Sequence, residues 1–523
     1  MSKSRLPVTR RRFMETTAVA GAAATALPRE ARAQSADNLR VRSYADLQVL
    51  DPGYVIGAPD SDIMDSIFNK LVTQKVGDEW GWELDAAESI EIVDATHINF
   101  TLKSGYGWTN GFGEMTADDV KFSYERIADP AMESPYTEDW KTLDHVEVKD
   151  GRSGTIVLKE AFAPLWSTTL PAGSGMIMCR KAVEALEGKR FTTSPPATSG
   201  AYTIKEWVPK QKTVLVANPN HGGAKPAFAQ VTVIPIEDGL TAESGFMAGD
   251  LDFTNVEVSS LPNLRENLPD GVVLVEKPSL KYTWIGINQE NPQFADVRVR
   301  RAVQLAVDVD AILEAAYFGV AAPATGIIPP GLTGHRDANL FGGKRDLDKA
   351  RALLSEAGFP DGFKARIDLL NKQTYLSAVQ VIQANLAEIG IEAEIMAHDS
   401  GVWWTMGDQA TGEQYKDLQI MYSRFSSNPD PGWYTMWFTT AQVGVWNWER
   451  WSNKDFDDLH AAALVELDPA KRDTMYKQMQ DLMEESGSYT FITHELTGAI
   501  HRDTIVPALQ PDGTMVWKKF TLA

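Results

Sequence analysis

The spacing of apolar and polar residues changes character along the chain. The first half reads as strands and turns. In "IEIVDATHINFTLKSGYGW" (90–108) two runs of β-type alternation flank Asp94-Ala95, which predicts a hairpin closing in a glycine loop. "VEVKDGRSGTIVLK" (146–159) repeats the pattern around Asp150-Gly151. Between them "MTADDVKFSYERI" (115–127) switches to a helical period, with Thr116 as N-cap, Asp118 and Asp119 in the first turn, and Val120, Tyr124 and Ile127 on one face.

The second half reads as α/β. "FADVRVRRAVQLAVDVDAILEAAYFG" (294–319) places Val303, Ala306 and Val307, then an Asp310-capped run of Ile312, Leu313 and Tyr317, on apolar helical faces, with Gly319 as a stop. "DLDKARALLSEAGF" and "TYLSAVQVIQANLAEIGI" are further amphipathic helices, stopped by Gly358 and Gly390. "KARIDLLN" and "IEAEIMAHD" read as strands, so 364–399 alternates β–α–β. Two helices, "KDFDDLHAAALVEL" and "PAKRDTMYKQMQDLMEES", precede a strand-like "SYTFITHE" and an irregular tail.

Composition narrows the class. The 523 residues are 43% hydrophobic and 23% charged, enough for several domains with full cores, and the formal net charge is −21. That acidity argues against nucleic acid or an anionic membrane as partner. The N-terminus carries Thr9-Arg10-Arg11-Arg12-Phe13-Met14, a short apolar stretch over 16–27, and an A-x-A site ending at Ala33. Such a stretch is too short for ~30 Å of hydrocarbon, so residues 1–33 read as a cleaved twin-arginine signal peptide and not an anchor. Cys179 is the single cysteine, which excludes an intrachain disulfide in spite of the oxidising destination.

Catalytic signatures are missing. "HELTGAIH" (494–501) puts its second histidine seven residues after the first, where a zinc site on a helix needs four. No P-loop, GxGxxG or GxSxG motif occurs. The eight histidines are scattered, and nothing calls for a metal or cofactor.

Six blocks, in order, match one family. They are "LDP" (50–52), "TADDVKFSYERI" (116–127), "SGAYTIKEWVPKQKTVLVANPNHGGAKP" (199–226), "INQENPQFADVRVRRAVQLAVD" (287–308), "ARALLSEAGFPDGF" (350–363) and "RWSNKDFDDL" (450–459). Together they resemble the periplasmic dipeptide- and oligopeptide-binding proteins of ABC importers, the bacterial extracellular solute-binding family 5. The resemblance implies an α/β, two-lobed periplasmic-binding-protein fold, class II-like, with a third domain inserted in the first lobe. Lobe one would comprise 34–60, 185–283 and 492–523, the insert 61–184, and lobe two 284–491, with crossings near 284–288 and 491. It implies capture of a small solute by hinge closure, delivery to a membrane permease, no covalent chemistry, and a monomer.

Peptide-binding members have a stretch resembling W-x-x-D-x-x-[DE]-P whose aspartate holds the peptide ammonium. Here the segment is "MYSRFSSNPDPGWYTMWF" (421–438); aligned on Asp430-Pro431, the tryptophan becomes Arg424 and the aspartate becomes Ser427. A serine does not neutralise an ammonium, while an arginine offers a donor fork to carboxylates and hydroxyls. The expected ligand is therefore an oligosaccharide, a glycoside or an opine-like conjugate. A di- or oligopeptide is the alternative, with Asp430 as anchor after a slip of alignment, and a secreted hydrolase is a remote third reading. Aromatic platforms with amides suit sugar-like ligands. "VWNWERWSN" (445–453) and "SNPDPGWYTMWF" thus nominate Trp446, Asn447, Trp448, Trp433 and Trp437, with Trp448 and Asn447 foremost. Arg450 and Trp451, in the family's ordinary block, are expected to pack and cap the next helix, and Trp403 and Trp404 to be core.

Overall fold

Three sheets account for the strand-rich and α/β halves of the chain. The computed structural model describes residues 37–55, 57–341 and 345–523, so the twin-arginine leader and its Ala33 cleavage site lie outside it. The first sheet has seven strands, ordered Val272–Pro278, Leu496–Arg502, Phe253–Val256, Asn38–Ser43, Gln230–Pro235, Lys212–Ala217 and Tyr202–Val208. Asn38–Ser43 pairs in parallel with both neighbours and is central, which is why Leu39 and Val41 are wholly buried.

The expected hairpins form a separate four-stranded antiparallel sheet, ordered Ala87–Ile92, His97–Leu102, Ser153–Leu158 and Leu143–Val148. Helix Ala117–Ala128 packs on it through Val120, Tyr124 and Ile127, into a core with Trp108 and Trp140. The Thr116 N–H donates to Asp119 Oδ2 at 2.8 Å, closing the capping box at the position the pattern indicated. Two family blocks meet here: Arg126 from this helix forks onto Asp51 of "LDP" at 2.9 and 2.7 Å, with both side chains almost fully buried.

The second sheet has five strands, ordered Ile391–His398, Phe363–Leu370, Ile420–Ser426, Lys281–Ile287 and Tyr489–Thr493. The first three run parallel, and Lys281–Ile287 is antiparallel to both flanking strands. Helices Leu347–Glu356 and Gln373–Ala387 end as expected before Gly358 and Gly390, both at positive φ (93° and 84°). The run at 294–319 divides into helices Val297–Ala306 and Val309–Tyr317, and Asp308, not Asp310, caps the second by accepting from Ala311 N.

The chain passes between the two large sheets twice, through Ser279–Leu280 and His494–Glu495. Lys281, Tyr282 and Thr283 belong to the second sheet because they pair with Ser426, Phe425 and Arg424. "HELTGAIH" is thus the end of one crossing and the start of a strand in the first sheet.

Candidate functional site

Direction of the strands locates the site. The carboxyl ends of the three parallel strands, at Leu370, His398 and Ser426, lie on one edge of the second sheet with the start of Lys281–Ile287 and the end of Tyr489–Thr493. Both crossings leave from that edge, so it faces the first lobe across the hinge. A crevice outside the carboxyl ends of parallel strands is where open α/β sheets bind ligands.

Cations collect on this edge. Lys281 Nζ lies 3.7 Å from Glu495 Oε2 and Arg424 Nε lies 3.4 Å from Glu495 Oε1, so one carboxylate in the second crossing faces two cations. Lys372, exposed just after Leu370, is near enough to repel Lys281. Lys281 keeps 38% of its side chain open to solvent while being walled by protein. Lost hydration lowers its ammonium pKa, Arg424 and Lys372 lower it further, and Glu495 opposes them. Lys281, Arg424 and Lys372 give this edge three cations, with Glu495 beside two of them and the charges of Glu257 and Asp512 also felt at Lys281. The expected Arg424 sits in this cluster. Ser427, beside it, gives its backbone N–H to Leu280 O at 3.1 Å.

Next to the cations lies a run of half-exposed rings. Trp404, 37% exposed, stacks on Phe425 with centroids 6.3 Å apart, and Phe425 meets Trp446 edge-to-face at 6.0 Å. Trp446 meets Trp437, and Trp437 meets Trp433, each at 6.0 Å. The structure thus brings Trp446 and Trp433 together with Trp437. It also adds Trp404, expected in the core; its neighbour Trp403 is core, 2% exposed.

Three expected contacts are corrected. Trp448 is 5% exposed and belongs to the hydrophobic core of the second lobe; its Nε1 donates to Val445 O, and Gly407 leaves the space its indole fills. Asn447 is fully buried, with Nδ2 donating to the carbonyls of Phe438, Thr439 and Trp451 and Oδ1 accepting from Trp451 N. It organises the loop and has no donor left for a solute. Asp430 is fully buried as well: Arg472 Nη2 contacts Oδ1 and Oδ2 at 2.8 and 2.9 Å, Gly432 N donates at 2.8 Å, and Ser167 Oγ from the inserted domain donates at 2.6 Å. Trp451 packs in the core against Phe456 and Tyr489, as expected, but helix Lys454–Val465 is capped by Asn453, and Arg450 instead pairs with Glu290.

Lys281, Lys372 and Glu495 were not legible as site residues, since their sequence neighbourhoods carry no motif. Glu449 was missed too: it is the lone acid among the tryptophans of 446–451, and burial raises its pKa to about 7. Among the described residues no group of histidine, cysteine, aspartate and glutamate could hold a metal, and no helix is long and apolar enough to cross a membrane.

Comparison with known proteins agrees with this fold. The profile "Bacterial extracellular solute-binding proteins, family 5 Middle" matches residues 82–464. The periplasmic oligopeptide-binding protein OppA of Escherichia coli K12 is 26% identical over 472 residues, covering 85% of this chain and 84% of OppA. Two solved structures share the fold. DppA from Helicobacter pylori, in complex with the peptide STSA, has a TM-score of 0.76 at 22% identity over 93% of this chain and 98% of its own. MoaA from A. tumefaciens R10, in complex with mannopinic acid, has a TM-score of 0.73 at 23% identity over 93% and 99%. With the profile spanning well over half its length, the chain belongs to the bacterial extracellular solute-binding proteins of family 5, the substrate-binding components of ABC importers.

Proposed function

We propose that this binding protein captures a carboxylate-bearing conjugate of the opine kind, an amino acid joined to a sugar-like moiety, in the crevice between its lobes. It does so in the periplasm as a monomer, after export on its twin-arginine leader, and passes the solute to a permease without chemical change. The observation that carries the reading is the gathering of Lys281, Lys372 and Arg424 on this edge, where Glu495 lies within ion-pair range of Lys281 and Arg424. A desolvated anion needs fixed cations, and a carboxylate matches a guanidinium fork. The ring series from Trp404 to Trp433 suits the C–H faces of a sugar-like part. A neutral oligosaccharide would use the rings and leave the cations idle.

A di- or oligopeptide is the second reading, supported by the peptide-bound relative DppA. Against it stand Ser427 at the anchoring position and an Asp430 committed to Arg472, Gly432 and Ser167. A thermal-shift screen of mannopinic acid, neutral oligosaccharides and dipeptides separates the readings, because a ligand at 100 times its Kd adds ~2.7 kcal/mol. The expected hit is the conjugate, weakened at least tenfold by Arg424→Gln. Tight binding of an ordinary dipeptide, unchanged by Arg424→Gln, would sink the proposal.

A further inference from the structure

Behind Trp446 the second lobe encloses a small cavity lined by Trp284, Trp403, Ser423, Arg424, Phe425, Trp446, Trp448 and Glu449. It leaves about 10 Å³ for the centre of a water-sized group, which is room for one. Glu449 is 1% exposed. Its Oε1 accepts a hydrogen bond from Trp284 Nε1 at 2.7 Å, while its Oε2 is buried with no partner. The backbone makes room for this acid: a Cβ on Gly286 would stand 2.0 Å from Glu449 Oε1, so only glycine lets the carboxyl lie flat on the strand.

We infer that Glu449 and the indoles around it form a binding site for an organic ammonium group. A charged carboxylate buried among hydrocarbon rings with one donor is unfavourable by several kcal/mol, and either a proton or a counter-charge relieves it. The groups facing it do not supply one. Arg424 lines the cavity, but its Nε is turned to Glu495 at 3.4 Å and its charge is not among the influences on the Glu449 carboxyl. Tyr282 and Tyr489, buried with hydroxyls lacking partners, are neutral and lie within reach of the Glu449 charge. Indole faces attract cations, and a carboxylate behind them fixes where the cation sits. The size admits an ammonium head and nothing larger, so the rest of the molecule must lie outside, along Trp446 and the other half-exposed rings. The inference therefore rests on the reading of that crevice as the solute site. It relocates amine recognition from position 427, where this chain has a serine, to position 449, and gives the crevice a cation site complementary to the anion site at Lys281, Lys372 and Arg424.

The first probe is methylammonium chloride, titrated at constant ionic strength against sodium chloride and read by tryptophan fluorescence. The wild type should respond saturably to methylammonium and not to sodium, and Glu449→Gln, which keeps an acceptor for Trp284, should not respond. Trp446→Leu, a change at a partly exposed ring, should weaken the response at least fivefold. With n-butylammonium, which carries a primary ammonium head, and its uncharged counterpart N-butylacetamide, Glu449→Gln should cost the amine about 30-fold or more in affinity and change the acylated form less than threefold. A wild type blind to methylammonium, or equal losses for the amine and its acylated form, would overturn the assignment. Methylammonium carries no carboxylate, so an intact response to it alongside failed conjugate binding would reject the proposed solute class and leave the Glu449 site standing.

Discussion

Replacing Asp430 by alanine should destabilise the second lobe while removing no direct contact with the solute. The carboxylate receives Arg472 Nη2 at 2.8 and 2.9 Å, Gly432 N at 2.8 Å and Ser167 Oγ at 2.6 Å. Without it, Arg472 retains Ala463 O at 2.9 Å and Tyr476 Oη at 3.2 Å but has no counter-ion, in a setting where its side chain is only 10% exposed. Breaking a buried pair from one side costs about 3–5 kcal/mol, because the surviving charge stays desolvated. For a cooperative unit of ~200 residues each kcal/mol moves the melting temperature by ~2–4 °C, so a fall of roughly 10 °C is expected. Calorimetry of the variant measures it, and titration of the solute at a temperature where the variant is folded measures affinity. The double variant Asp430→Leu, Arg472→Met should recover most of the loss, since neither charge remains buried. A variant that melts like the wild type and no longer binds would make Asp430 a solute contact, and the argument from its buried partners would fail.

Other perturbations probe the same lobe. Trp448→Ala should lower stability by about 3–5 kcal/mol by emptying an indole-sized space in the core, read by chemical denaturation; a fully stable variant would return Trp448 to the crevice wall. Asn447→Ala should cost roughly 2–3 kcal/mol, because three buried carbonyls lose their donor, and the loss should appear in stability before affinity. Glu449 gives a pH signature. Its pKa is about 7 in the folded chain against an ordinary 4.5, so the unfolded chain ionises first and this group's share of stability declines as pH rises from 4.5 to 7, then levels off. Glu449→Gln should therefore match the wild type near pH 4 and exceed it by about 3 kcal/mol at pH 8, and a pH-independent difference would refute the burial argument.

Much of the frame was legible because it depends on local rules. Thr116 and Asp119 close a capping box wherever a helix starts on them, and Gly358 and Gly390 stop helices by tolerating positive φ. The parallel core of the second sheet followed from the β–α–β alternation over 364–399. The site was less legible. An indole serves equally as core or as platform, so the tryptophans at 446, 448 and 451 could not be told apart by type. Folding turned Trp446 outward to Phe425 and Trp437, and buried Trp448 and Trp451 in two different cores.

By itself, the sequence determined the family, the helices with their caps and stops, and the absence of an acid at position 427. These are matters of residue identity and of periods within a few turns of chain. The tertiary structure alone decided which polar groups remain unsatisfied. Asn447 and Asp430 look like ideal ligand contacts until their partners Phe438, Thr439, Arg472 and Ser167 arrive from elsewhere in the chain and consume their hydrogen bonds. Lys281, Lys372, Arg424 and Glu495 form one electrostatic unit only because strands far apart along the chain end on the same edge. Recognition is carried by the charges and lone pairs left over when folding has matched the rest, and that remainder is a property of three-dimensional neighbours, which spacing along the chain does not record.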